Sequence, residues 1–182
     1  MRDNELFILV RQWLATAAPL RGIVGAEYIL SFQPTQQGRP SQRAVRMFVV
    51  ANKRYGYRKT VAVNGDGTGL MPRTETQAME TTLQFAVTQP LDLDDAALTH
   101  GDVLKTIAAC LQSDDAVQFF IANGASVLRV GDVRGGYVIN DRGQHEENPS
   151  FDIVIKHNDV FIDGVPQVHT FEFEILSVPN LV

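Results

Sequence analysis

Three stretches of this chain alternate apolar and polar residues with a period of two, which confines it to folds built on a sheet with one wet face. In 80–88, Leu83, Phe85 and Val87 fall on one side and Thr82, Gln84 and Thr88 on the other. In 150–157, Phe151, Ile153 and Ile155 alternate with Asp152, Val154 and Lys156. In 168–176, Phe171, Phe173 and Ile175 alternate with Thr170, Glu172 and Glu174. Asp163-Gly164 lies between the last two and predicts a hairpin with a wide loop there. Residues 24–32 and 125–130 also read as strands. The segment 44–51, AVRMFVVA, is apolar enough to be expected buried on both faces.

Helical spacing marks the elements that would cover such a sheet. Leu6, Val10, Trp13, Leu14 and Ala17 form a stripe over 4–17, with Asp3 as a cap and Pro19 as the stop. Thr99-His-Gly-Asp102 fits a capping box, and Leu104, Ile107, Ala108 and Leu111 follow at i, i+3, i+4, i+7. A second short helix starts at Asp114 or Asp115, whose charges suit a helix N-terminus. It carries Val117, Phe120 and Ile121 on its apolar side and stops at Asn123-Gly124. The expected fold class is therefore α+β: an antiparallel or mixed β-sheet covered by a few helices, with long loops or arms, in a single domain spanning 1–182.

A chain of 182 residues buries roughly 70% of the surface its unfolded form exposes, so it needs neither disulfide nor metal to fold. Cys110 is the lone cysteine and sits beside Ile107, Ala108 and Leu111, which suits a buried structural thiol. A reactive thiol needs an electropositive, partly open site. Near the N-terminus, Asp3, Glu5 and Arg11 interrupt the apolar run, and no stretch approaches the ~18 apolar residues of a membrane span. The expected setting is the cytosol of a host, or a particle assembled there.

Charge is unevenly placed. Between Arg39 and Arg73 stand eight basic residues (Arg39, Arg43, Arg46, Lys53, Arg54, Arg58, Lys59, Arg73) against one acid, Asp66. Since the whole chain carries −5, this +7 segment leaves −12 for the rest. Such asymmetry steers head-to-tail association between copies, or contact with nucleic acid, and says nothing about fold. Two polar segments, 52–74 and 131–149, read as hairpins or extended arms. Structureless loops of that length are uncommon unless they have a task. Their candidate interface residues are Lys53, Arg54, Tyr55, Tyr57, Arg58 and Lys59 in the first, and Arg134, Tyr137 and Arg142 in the second.

Signs of chemistry are sparse. The chain has no phosphate-cradling G-x-x-x-x-G-K-[ST], no G-x-S-x-G and no H-E-x-x-H. His100, His145, His157 and His169 are scattered without a second ligand at metal spacing, and read as surface or edge residues. Asn64, Asp66, Thr68, Gly69 and Glu75 match positions of a calcium-loop template. Pro72 and the strand that follows favour a glycine turn at a hairpin tip instead. Asp92, Asp94 and Asp95 read as a solvated turn before a helix. KRYGYRK (53–59) interleaves cations and aromatics as single-strand binders do, but the acidic chain around it suits a protein-contacting arm better. No enzyme activity, cofactor or metal is expected.

The order of elements carries a resemblance. Helix NELFILVRQWL, strand ETTLQFAVT, helix GDVLKTIAACLQSD, short helix AVQFFIANG, strand ASVLRVGDVRGGYVIND and strand PSFDIVIKH together resemble the phage neck terminator family, best over 75–157. The stretch from Gly124 through Val130-Gly-Asp132 to Pro149-Ser-Phe-Asp152 is the most family-like. The basic 39–73 region matches no motif of that family. The resemblance implies a virion structural protein that caps the head-proximal end of the tail tube as a ring, typically a hexamer. Its implied partners are other copies of itself, tail tube, sheath if the tail is contractile, and head connector, with DNA passing through the ring. Another connector part, such as a head-completion or stopper ring, has the same signature. A small nucleic-acid-binding module using 39–73 is the reading from a different class, and it predicts binding that falls steeply with salt.

Overall fold

Burial decides which stretches of this chain become elements, and strand pairing then extends them. A computed structural model describes residue 1 and residues 3–30, 44–62, 70–88, 98–139 and 145–166. The elements are α1 (Asp3–Ala17), β1 (Glu27–Leu30), β2 (Ala44–Ala62), β3 (Leu70–Thr88), α2 (His100–Leu111), α3 (Asp114–Ala122), β4 (Ala125–Val130), β5 (Tyr137–Ile139), β6 (His145–Glu147) and β7 (Ser150–Pro166). A 3-10 turn, Pro19–Arg21, follows α1. The main sheet has five strands in the order β1-β2-β3-β7-β4, with β1 parallel to β2 and the other pairs antiparallel. The fold is α+β with a mixed sheet. No helix among the described residues is long and apolar enough to cross a membrane.

The helices lie over one face of the sheet. Val45 and Met47 of β2, Leu83, Phe85 and Val87 of β3, and Phe151, Ile153 and Ile155 of β7 meet Leu6, Val10 and Leu14 of α1, Leu104, Ile107 and Leu111 of α2, and Phe120 of α3. Phe85 and Phe151 stack with centroids 5.0 Å apart and planes 9° from parallel. Each such side chain contributes about 1.5–3 kcal/mol through its removal from water. Trp13, on the rim, packs against Phe119 with the ring planes tilted by 35° and donates its indole N–H to the carbonyl of Cys110 at 3.1 Å. Cys110 is buried, and burial pushes its thiol pKa up, as expected for a structural cysteine.

The capping box of α2 is formed: Thr99 Oγ1 accepts from the Asp102 amide, and the Asp102 carboxylate accepts from the Thr99 amide. α3 is capped by Ser113, and its buried side is Ala116 and Phe120, whereas Val117 and Ile121 are exposed. Three more expectations need correction. Asp3 lies within the first turn of α1, where its carboxylate accepts from Asn52 Nδ2 at 3.3 Å. The 44–51 run is not buried throughout: Ala44, Val45 and Met47 are buried and Arg46 and Phe48 half-buried, whereas Val49 and Val50 are exposed, because β2 runs out from under the core as it proceeds. Asp163-Gly164 makes no turn: it lies inside β7, opposite Arg73 and Pro72 of β3. The predicted strand 168–176 lies outside the described residues.

Candidate assembly interface

The three central strands outrun the helices. β2 and β3 each have 19 residues and β7 has 17, a length of about 60 Å at 3.3 Å per residue. The segment 52–73 does form a hairpin, with β2 and β3 paired from Ala44↔Thr88 to Ala62↔Arg73. β7 continues beside β3 as far as Pro166. Phe161 and Ile162 are adjacent and so point to opposite faces, yet they are 46% and 78% exposed. At this distal end the sheet is a three-stranded wing, and among the described residues no helix covers either of its faces.

Polar contacts replace a core there. On the helix-side face Arg58 and Arg73 both grip Glu75, at 2.5 Å and 2.9 Å, and Arg73 also approaches Asp163 at 3.8 Å. The Arg58 guanidinium lies 5.9 Å from the centre of the Phe161 ring. On the opposite face Lys156 stands 5.2 Å from the Tyr55 ring. Between Tyr55 and Lys59 the register shifts, and Gly56 takes a φ of 70° at this bulge, a left-handed conformation suited to glycine. Gln77 donates to the Tyr55 carbonyl at 3.0 Å, satisfying a backbone acceptor beside the break.

These contacts sort the residues predicted from the sequence. Lys53, Arg54, Tyr57 and Lys59 are exposed, Tyr57 completely so, and Tyr55 is half-buried. Arg58 is held by Glu75, so it stiffens the wing. Arg134 is ion-paired with Asp152, and its backbone bridges Ser150. Tyr137 opens β5, paired with Glu147 of β6, and Arg142 lies outside the described residues. The two predicted groups do not converge. Ser150 begins β7, whereas Lys59 lies level with Val160 across Thr76, about 33 Å further along the strand. Of the calcium-loop template, Asn64, Asp66, Thr68 and Gly69 are outside the described residues, and both Glu75 oxygens are taken by arginines. Asp92, Asp94 and Asp95 are outside them too.

Two histidines contradict the surface reading. His100 and His157 are 6% and 3% exposed; His169 lies outside the described residues. His157 continues the inward row Phe151, Ile153, Ile155, and hydrogen bonding makes its burial tolerable. Thr81 donates to Asn52 Oδ1 at 2.8 Å, so its oxygen accepts from His157 Nε2, also at 2.8 Å. Among the described residues His157 Nδ1 has no partner. Burial first, then the Met1 amino group, lowers the His157 pKa; Asp3 and Asp159 oppose the shift. A folded pKa below the ordinary 6.5 gives stability that is complete above pH 6.5 and lost as pH falls towards the folded value. The urea midpoint should therefore drop between pH 7.5 and pH 5 by more in the native chain than in His157→Gln. Equal drops would show that His157 does not control it.

Away from the wing, a groove of about 480 Å³ lies between α1 and β1, lined by Arg11, Ala15, Pro19, Ile23, Ala26 and Tyr28. The Tyr28 hydroxyl donates to the Leu14 carbonyl at 3.2 Å, and burial raises its pKa to about 12. That phenol is held as a hydrogen-bond donor and is poorly suited to acid–base work near neutral pH.

A family model described as E217 gateway protein gp29 matches residues 5–167, which includes α1 from Glu5 onward, the whole sheet and the wing. The chain belongs to this gateway protein family. It is a phage gateway or neck family, and the chain is accordingly a structural protein of the phage head–tail connector kind, located in the virion neck. The phage-neck part of the resemblance agrees with this membership; the terminator role is a finer assignment. No curated protein matches the chain significantly. The sequence reading missed the other side of the wing, Asp159 to Asp163. Its β-branched and aromatic run DVFID was a usable signal, masked by the turn expected at Asp163-Gly164.

Proposed function

We propose that this gateway-family protein works without enzymatic activity, as a ring that caps the head-proximal end of the tail tube, stops its polymerisation and joins it to the head connector. The observation that carries this reading is the wing, whose strands extend past the core and leave surface that intramolecular packing does not use. Head-to-tail contacts close into a ring when their rotation closes, and each specific contact needs on the order of 1,200 Å². Six copies and, in a contractile tail, a sheath contact follow from the resemblance to terminators. The hole of such a ring would pass DNA.

Light scattering on the purified chain, alone and with tail-tube protein, tests the proposal. The expected result is a ring of defined mass, and tubes that stop growing once it is added. A chain that stays monomeric and leaves tube growth unchanged would refute it. Capture of the ring at the head side of the neck, away from the tube, would favour a head-completion or stopper role instead. The exposed Lys53, Arg54 and Lys59 keep a nucleic-acid reading in view, marked by DNA affinity that falls steeply with salt.

A further inference from the structure

The wing has two edges, and they match each other. On the β2 side, β1 pairs only with Ala44 to Met47; on the β7 side, β4 reaches only His157. Among the described residues no strand pairs with the outer edge of β2 beyond Met47 or of β7 beyond His157. The open stretches stand at the same height. Beyond Asn158, whose carbonyl accepts from the Met1 amino group, Lys59 and Val160 are both opposite Thr76, and Val61 and Ile162 are both opposite Thr74.

Direction and charge agree as well. β2 and β7 are each antiparallel to β3, so they run the same way. A rotation about an axis running roughly along the strands keeps that direction and brings β7 of one copy beside β2 of the next as a parallel pair. The outer edge of β2 already takes a parallel partner, β1, further down. Over the level open stretches, β2 carries Arg58 and Lys59 and no acid from 55 to 62, and β7 carries Asp159 and Asp163 and no base from 158 to 166; Lys53 and Arg54 stand level with Lys156 and His157, short of the open edge of β7. Cations on an open edge also disfavour pairing with a second copy of that same edge.

We propose that β2 of one copy pairs, in parallel and level register, with β7 of a second copy along the wing, so that the sheets run on from subunit to subunit. This rests on the ring reading above and supplies its contact. Backbone hydrogen bonds would set the pairing, while opposite charge selects β7 over β2 as the partner edge. On the face away from the helices, Val61 would meet Ile162 of the neighbouring copy. These residues are 46% and 78% exposed in the single chain.

Cysteine pairs test the register. Within one chain, positions 61 and 162 are separated by β3 and lie about 10 Å apart, beyond the ~7 Å limit of a disulfide. In full-length Val61→Cys/Ile162→Cys, and likewise Lys59→Cys/Val160→Cys, mild oxidation should therefore yield a ladder of linked multimers ending at the closed ring. This would be read on non-reducing gels from the purified chain and from virions carrying the variants. The buried Cys110 and the single variants serve as controls. A ring of unchanged mass with no ladder from either pair would overturn the edge pairing and leave the ring reading standing. Dimers from Val61→Cys alone would show β2 meeting β2, and would overturn it too. Absence of any ring, in solution or in virions, would remove both.

Discussion

Phe85→Ala should destabilise the protein by about 3–5 kcal/mol, the range for deleting a buried phenylalanine without collapse of the cavity. Phe85 is fully buried at the centre of β3, stacked on Phe151 and paired in register with Met47 of β2. Those neighbours belong to different strands held by their own ladders, so neither can move far to fill the space. Domains have only about 5–15 kcal/mol in total, so the variant would keep a thin margin. With a urea slope near 2 kcal/mol per M, its midpoint should fall by about 2 M. Val61→Ala, on the exposed wing, should stay within about 0.5 kcal/mol of the native chain. A Phe85→Ala midpoint equal to that of the Val61 variant would mean that the two-phenylalanine stack does not anchor the sheet.

The triple variant Lys53→Glu/Arg54→Glu/Lys59→Glu should fold and fail to assemble. All three side chains are exposed, so the cost to the single chain is small. Its largest part is the new carboxylate at position 53, which faces Glu80 in the β2–β3 ladder and costs on the order of 0.2–1 kcal/mol. At the proposed contact the reversal at Lys59, level with Val160, sets a like charge between Asp159 and Asp163, while Lys53 and Arg54 stand level with Lys156 and His157 at its near end and their reversal removes the positive approach to the acidic edge. Arg58 is left intact because it holds Glu75 at 2.5 Å; reversing it would place two carboxylates together and confuse folding with assembly. The expected light-scattering result is a monomer with a near-native urea midpoint, and tail tubes that grow past their normal length. Native assembly should also weaken as salt rises, since exposed charges are screened beyond about 10 Å at 0.1 M. Normal rings from the triple variant would exclude the basic strand from the interface.

What was legible in the sequence was local. The α2 capping box needs only Thr99 and Asp102, three residues apart, and the inward row Leu83, Phe85, Val87 needs only a period of two. What was illegible depended on partners far along the chain. Lys53 to Lys59 read equally as part of a hairpin or of an extended arm; the ladder with Thr76 to Glu80 decides for the hairpin. Asp163-Gly164 carries a turn signal that pairing with Arg73 and Pro72 overrides. His157 looked like a surface residue, yet it is buried with its Nε2 bonded to Thr81, which in turn donates to Asn52. The basic 39–73 region looked like one patch, yet Glu75 takes up Arg58 and Arg73 while Lys53, Arg54 and Lys59 remain exposed.

The amino-acid sequence by itself determined the α+β class, the helices and the inward-facing rows, because periodicity and capping depend on neighbours within a few residues. Only the tertiary structure decided how far β2, β3 and β7 extend, which face of each is covered, and that a basic and an acidic edge end up level on opposite sides of one wing. Backbone pairing does not depend on side-chain pattern, so strands can continue where hydrophobicity stops. That continuation is what leaves the wing available to another copy.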